Sequence, residues 1–69
     1  MQIIDERQTA LREVNNASTT HSLARREALD AWEHREADPA SYQAARTRLL
    51  AARHEFEESR DLLLFLCTA

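Results

Sequence analysis

The sequence predicts an all-α fold, an antiparallel two-helix hairpin whose helices pack like a coiled coil. Three observations carry this prediction. The 69 residues include no glycine and a single proline, Pro39, so the composition favours long helices with one strong interruption. Small and apolar residues recur at alternating steps of three and four on both sides of that proline. The two stripes also match each other in one antiparallel register.

The first helix is predicted to span residues 3–36, approximately. Its helix propensity is lowest in the segment 15–22. This segment reads NNASTTHS, and Asn, Ser and Thr are mediocre helix formers because their side chains compete for backbone hydrogen bonds. A seven-residue spacing of alanine nevertheless continues through it, at Ala10, Ala17, Ala24 and Ala31. We therefore expect one continuous helix with a soft segment. The alternative is a break near residues 18–20 after a short N-terminal helix.

The turn is predicted at residues 37–39, within the stretch ADPAS. Proline disfavours helical backbone in the residue before it, so the first helix should end just before the turn. Asp38 as the N-cap and Pro39 at the first helical position then begin a second helix, which extends over about 39–66. Such a short connection makes the two helices antiparallel neighbours. We expect residues 1–69 to form a single helical hairpin.

The register of the hairpin follows from matching the two stripes layer by layer. The second helix carries a heptad seam of alternating large and small residues: Tyr42, Ala45, Leu49, Ala52, Phe56, Ser59, Leu63 and Leu66. The first helix carries the four spaced alanines and a second set of seam positions: Val14, His21, Ala28 and Arg35. Folding about the turn places small residues opposite small ones, which permits a close approach of the helices.

Three cross-helix contacts test this register. It places His21 against Phe56 within the seam. Near the turn it places Arg35 over Tyr42 as a cation–π contact. On one flank Glu27 faces Arg48 as an exposed ion pair, which contributes little to stability.

Seven large apolar residues fall outside the seam and are predicted to bind a partner. They are Leu23, Leu29, Trp32, Leu50, Leu62, Leu64 and Phe65. Scattered surface leucine is common, but seven such residues, three of them crowded near the end of the second helix, indicate that another surface covers them. A homodimer forming a four-helix bundle would do this, and so would docking into the groove of a different protein. Chains this short bury little of their own surface, which also favours a partner.

No set of residues predicts catalysis, a cofactor or a metal site. His21 is the only seam histidine, and we expect it to stack on an aromatic ring rather than bind a ligand. The stretch HEFEE at 54–58 gives histidine and glutamate helical spacing, but its histidine occupies the outermost heptad position and should face solvent. Cys67 is the single cysteine, so no internal disulfide can form. We therefore expect a noncatalytic protein.

Charge and hydropathy limit the classes of partner. The net charge of −3 gives nucleic acid no overall attraction. One flank nevertheless combines arginines with an aromatic ring, at Arg25, Arg46, Arg53, Arg60 and Trp32. An RNA-binding homodimeric hairpin, which neutralises phosphates and stacks bases, is therefore the alternative function. The apolar run 62–67 is far shorter than the roughly 20 residues that cross a bilayer, so we expect no membrane segment and a cytoplasmic location.

The layout also resembles a known family. A chain under 70 residues long, with a turn leading into ADPASYQAARTRLLAARHEFEES and a Tyr-Gln pair (Tyr42, Gln43) one turn into the second helix, is similar to the small YscE-like proteins of bacterial type III secretion systems. The resemblance implies a cytoplasmic co-chaperone. Its implied partners are a helical-repeat chaperone of the tetratricopeptide type and the needle subunit, which the complex keeps soluble until export. Of the matched residues, Tyr42 carries over only as a packing residue.

Overall fold

The computed structural model describes the backbone of residues 2–68 and the side chains of residues 6–68. This part of the chain forms two helices, α1 (Gln2–Glu33) and α2 (Pro39–Thr68). They pack against each other in a slender molecule of 54 × 14 × 12 Å. The fold is therefore the helical hairpin that the sequence predicts. Assembly of two hairpins into a four-helix bundle stays a prediction.

Helix α1 runs without a break through the segment 15–22. Asn15, Asn16, Thr19 and Ser22 are exposed there, while His21 is half-buried and faces α2. The Thr19 hydroxyl donates a hydrogen bond to the carbonyl of Asn15 at 3.1 Å, one turn earlier in the helix. Packing of one face on α2 thus holds the segment helical despite its poor intrinsic propensity.

Helix α1 ends at Glu33, so the predicted helix end at residue 36 and the predicted turn at residues 37–39 are both wrong. Residues 34–37 form a turn, in which the amides of His34 and Arg35 bond to carbonyls three residues earlier at 3.1 and 3.3 Å. The Arg35 guanidinium also donates to the carbonyl of Trp32 at 2.9 Å. These shorter-range bonds satisfy carbonyls that have no helical partner, and they tighten the chain before the proline restricts it.

Asp38 caps the start of α2. Its carboxylate accepts hydrogen bonds from the Ser41 hydroxyl at 2.6 Å and from the Ser41 amide at 3.1 Å. Because both bonds favour the charged carboxylate, they lower the pKa of Asp38 below its ordinary value of 3.8. Pro39 occupies the first helical position, where a missing amide hydrogen costs nothing. Helix α2 begins where the sequence predicts and extends two residues beyond residue 66.

The core is the seam between the helices, and its most buried residues are small. They are Ala10, Ala24, Ala28, Ala45 and Ala52. The remaining residues of the predicted seam are half-buried. Outside the seam, all the side chains of residues 6–68 are exposed except that of Glu57, which is half-buried. Among these described residues, no large side chain is fully buried. The hairpin therefore gains its close helix packing from alanine, which buries little apolar area per residue.

Two contacts between the helices confirm the predicted register, one within the seam and one on its flank. The rings of His21 and Phe56 are stacked, with centroids 5.9 Å apart and planes inclined by 18°. The guanidinium of Arg48 lies 3.5 Å from the carboxylate of Glu27 on the flank. Both pairs belong to regular helix on each side, where heptad phase determines which residues meet.

The predicted contact between Arg35 and Tyr42 is wrong. The Arg35 guanidinium carbon lies 3.6 Å from the centroid of the Trp32 ring. Tyr42 instead meets the Trp32 ring at its edge, with centroids 5.3 Å apart. Because α1 has already ended at Glu33, Arg35 lies in the turn, and its side chain folds back over α1.

Candidate protein-interaction surface

The seven apolar residues predicted to bind a partner all lie on the outside of the hairpin. Their exposed fractions range from 46% for Trp32 and Leu62 to 65% for Phe65, with Leu23, Leu29, Leu50 and Leu64 between them. Leu11, at 50%, is an eighth exposed residue, which the predicted set leaves out. About half of each of these side chains is therefore open to a partner.

One broad side of the hairpin, here named the basic face, holds an apolar groove between the helices. Six residues form its apolar lining: Ala28, Leu29, Trp32, Tyr42, Leu49 and Leu50. The groove consists of two adjoining hollows that share Arg25 and Leu49, and it is also bordered by Arg53 and the half-buried His21. Arg46 and Arg60 lie one heptad on either side of Arg53, so they follow the same side of α2. Leu64 continues the line of Leu50 at a distance of two heptads.

Trp32 closes the groove at the end next to the turn. Arg35 covers part of its ring and Tyr42 meets the ring edge, as described above. The residue is still 46% exposed. A cation and an aromatic ring therefore hold the indole in place while part of it remains available for contact.

The arginines of the basic face are only partly neutralised. The Arg53 side chain donates to the carboxylate of Glu57 at 3.1 Å, and the Arg60 side chain lies 3.5 Å from the carboxylate of the next residue. Among the side chains of residues 6–68, Arg25 and Arg46 have no acidic group within 4 Å. The groove thus lies in a positive field although the whole chain is acidic.

The opposite side, here named the acidic face, has the reverse charge. Its shallow grooves are bordered by four glutamates: Glu13, Glu27, Glu55 and Glu58. Arg48 is the only basic residue that lines these grooves, and it is paired with Glu27. Leu23 lies here, and the heptad phase adds Leu62 and Phe65 to the same side. Each face therefore combines exposed apolar residues with charges of mainly one sign.

The remaining polar candidates form local surface contacts. His54 lies 2.9 Å from the carboxylate of Glu58, and both side chains are exposed. The His34 ring lies 3.0 Å from the carbonyl of Asp30, one turn earlier. Over the part of the chain that the structure describes, no group of three His, Cys, Asp or Glu residues could hold a metal ion. Cys67 is exposed and unbridged.

Sequence reasoning missed two features of this surface. The heptad pattern predicts Tyr42 and Leu49 as seam residues only, yet both also line the groove of the basic face. The acidic face was missed as a unit, although Glu13, Glu27 and Glu55 share the flanking heptad position of Arg48. Summing the charge of each flank of the seam separately would have identified the acidic face, whereas no pattern in the sequence shows that Tyr42 and Leu49 reach into the groove.

The length of the apolar stretches and three comparisons with known proteins complete the description. Within the described residues, neither α1 nor α2 has an apolar stretch long enough to cross a membrane. Comparison of the chain with protein families, with curated proteins and with solved structures finds no match.

Proposed function

We propose that this chain is a noncatalytic protein-interaction module, which binds a protein partner through its exposed apolar side chains. The observation that carries the proposal is the surface area. A compact monomer of this mass exposes about 4,500 Å², whereas this chain of 8.0 kDa exposes 5579 Å². The excess of about 1,100 Å² is larger than the roughly 800 Å² that each partner contributes to a standard protein interface.

A partner would also supply the apolar burial that the hairpin lacks. The buried core consists of five alanines. Leu62 and Phe65, here named the C-terminal cluster, are larger and remain 46% and 65% exposed. Complete burial of one such side chain stabilises by about 1.5–3 kcal/mol relative to full exposure, so covering the half that is open contributes a substantial part of that.

A more specific version of the proposal names the partner protein. The resemblance to YscE-like proteins and the hairpin shape support a cytoplasmic co-chaperone of type III secretion. It would bind a helical-repeat chaperone and, together with it, keep the needle subunit soluble. Helical-repeat proteins present extended concave surfaces, and such surfaces suit a slender helical partner. We assign the C-terminal cluster to this contact.

Co-expression tests this function directly. The chain is produced together with a helical-repeat chaperone and a needle subunit from the same genome, and masses are measured by size-exclusion chromatography with light scattering. We expect a complex that contains all three proteins and is lost in the Leu62→Asp/Phe65→Asp variant. The matched control Thr47→Asp/His54→Asp, on the outer surface of α2, should keep the complex. Elution of the unchanged chain alone would reject the co-chaperone function.

The alternative, an RNA-binding homodimeric hairpin, has the arginines of the basic face in its favour. Two features weaken it: the net charge of the chain is −3, and Arg35 already covers part of the Trp32 ring on which a base would stack. A salt titration separates the two functions. RNA affinity falls steeply as salt rises because bound phosphates release counterions, whereas apolar docking changes little. No RNA retention at low salt would exclude the alternative.

A further inference from the structure

The groove of the basic face is long enough for one helix to lie along it. It lies between two antiparallel helices, from Trp32 beside the turn to Arg53. The line of arginines continues to Arg60, so the stretch 42–60 of α2 offers about 27 Å at 1.5 Å per residue. A third helix can pack there on both α1 and α2, with its axis about 8–10 Å from each.

The charges around the groove repeat with the period of a helix. Arg46, Arg53 and Arg60 are seven residues apart, which places them about 10.5 Å apart along α2. A helix lying alongside α2 would present acidic residues at the same interval if they also recur every seven residues. Arg25 and Arg53 border one groove, and their mutual repulsion would be relieved by a carboxylate between them.

A second copy of this chain fits the groove poorly. Two-fold pairing through the basic faces would set arginines against arginines, because a two-fold interface uses the same patch on both copies. Pairing the basic face of one copy with the acidic face of the next would satisfy the charges but would build a head-to-tail ring or an open chain of molecules instead of a simple pair. The charge pattern therefore favours a different, acidic partner.

We propose that the basic face docks an acidic amphipathic helix of a partner protein along the groove between α1 and α2. The apolar stripe of that helix, with residues at intervals of three and four, packs on Leu29, Trp32 and Leu50. Glutamates or aspartates beside the stripe pair with the arginines of the groove rim. The inference rests on the proposed protein-binding function and deepens it by adding a second contact face, separate from Leu62 and Phe65, and by naming the chemistry of its occupant.

Synthetic helices test the charge preference. The first peptide is about 21 residues long, three heptads, with leucine at the seam positions and glutamate beside them. The second has lysine in place of every glutamate. Trp32 is the only tryptophan, so its fluorescence reports binding within the groove. We expect the acidic peptide to bind at least about tenfold more tightly than the basic one, since like charges across an interface are strongly unfavourable.

Matched variants locate the binding face. Leu50 on the basic face and Leu23 on the acidic face are both 54% exposed, so Leu50→Ser and Leu23→Ser remove comparable surface. We expect Leu50→Ser to weaken the acidic peptide at least about fivefold and Leu23→Ser to leave its affinity unchanged. Arg25→Glu/Arg53→Glu should reverse the preference toward the lysine peptide. The control Arg12→Glu/Arg26→Glu, on the outer surface of α1, should not, and circular dichroism checks that each variant is helical.

The outcomes separate this inference from the proposed function. Equal affinity for both peptides, binding of neither, equal effects of the two leucine variants, or tighter binding of an RNA oligonucleotide in the same buffer would overturn the docking of an acidic helix. A co-expression complex that depends on Leu62 and Phe65 but ignores Arg25→Glu/Arg53→Glu would also overturn it, while leaving the protein-binding function intact. The absence of any co-expressed complex counts against the function itself.

Discussion

A single carboxylate, Asp38, links the start of α2 to a pH dependence. The hydroxyl and amide of Ser41 both donate to it, and these bonds lower its pKa below 3.8. A carboxyl group with a lower pKa in the folded chain adds stability that is present above its ordinary pKa. That stability is lost as the pH falls through 3.8 toward the folded pKa.

Replacing Asp38 by asparagine should remove this pH dependence and keep the cap. Asparagine also accepts the Ser41 amide bond at an N-cap but does not ionise. We expect the free energy of unfolding of the natural chain, measured relative to Asp38→Asn, to decrease between about pH 5 and about pH 2. Urea unfolding followed by circular dichroism measures it, with Asp38→Ala as the capless reference. A difference that is constant with pH contradicts the assignment.

Residue partners were predictable from the sequence only where both residues lie in regular helix. His21 and Phe56 meet as predicted because heptad phase determines which side each faces. Arg35 does not meet Tyr42, because the heptad extrapolation assumes helical backbone at a residue that lies in the turn. The bond from Arg35 to the Trp32 carbonyl depends on a side-chain conformation that spacing does not encode.

At the scale of the helices, α1 combines a firmly packed part with a weak one. Ala24 and Ala28 are buried in the seam, whereas the segment 15–22 exposes most of its side chains and has poor helix formers. The Thr19 hydroxyl also bonds to a backbone carbonyl, a contact that tends to bend helices. Local opening should therefore start within this segment.

Amide hydrogen exchange should show this difference within one helix. We expect the amides of residues 15–20 to exchange faster than those of residues 24–31, measured by NMR or mass spectrometry under native conditions. Substituting Asn15 and Asn16 by alanine should slow exchange in the first group, because alanine is the better helix former. Equal protection of the two groups in the natural chain would remove the weak segment.

The seam of the hairpin depends on small residues, and neighbouring alanines on α2 provide a matched test. Ala52 is buried, while Ala51 is exposed. We expect Ala52→Leu to lower the free energy of unfolding by about 1–3 kcal/mol, because the added side chain forces the helices apart. Ala51→Leu should change it by no more than about 0.5 kcal/mol. Chemical denaturation measures both, and equal effects would mean that the seam is not closely packed.

The spacing of residues predicted the seam but not the groove. Alternating steps of three and four identify which residues face the other helix, and all of these are buried or half-buried. The groove depends on how two flanks combine in space and on how far Tyr42 and Leu49 reach out of the seam. Those quantities follow from the distance between the helices and from side-chain conformations, which a one-dimensional pattern leaves open.

At the scale of the whole molecule, the hairpin is too slender to bury its own large apolar side chains. Its Cα radius of gyration is 15.6 Å, whereas a compact domain of this length has about 11 Å. One layer of contact between two helices leaves both broad faces uncovered. The opposite charges of those faces then decide which further contacts are favourable.

The association state of the isolated chain should depend on salt in a way that reveals this charge pattern. At low salt we expect a mass near 8.0 kDa, because a two-fold pair joined through the basic faces brings Arg25, Arg46 and Arg53 of both copies together. Rising salt screens that repulsion and leaves apolar burial intact. Light scattering should therefore show the mass increasing toward that of a dimer.

Neutralising the basic face should have the same effect as salt. Arg25→Gln/Arg53→Gln is expected to dimerise at low salt, while Arg12→Gln/Arg26→Gln, on the outer surface of α1, should stay monomeric. Oligomers of the natural chain that form at low salt and dissociate as salt rises would indicate the opposite arrangement, with basic faces on acidic faces. In that case the acidic face of a second copy would compete for the groove that we assign to an acidic helix.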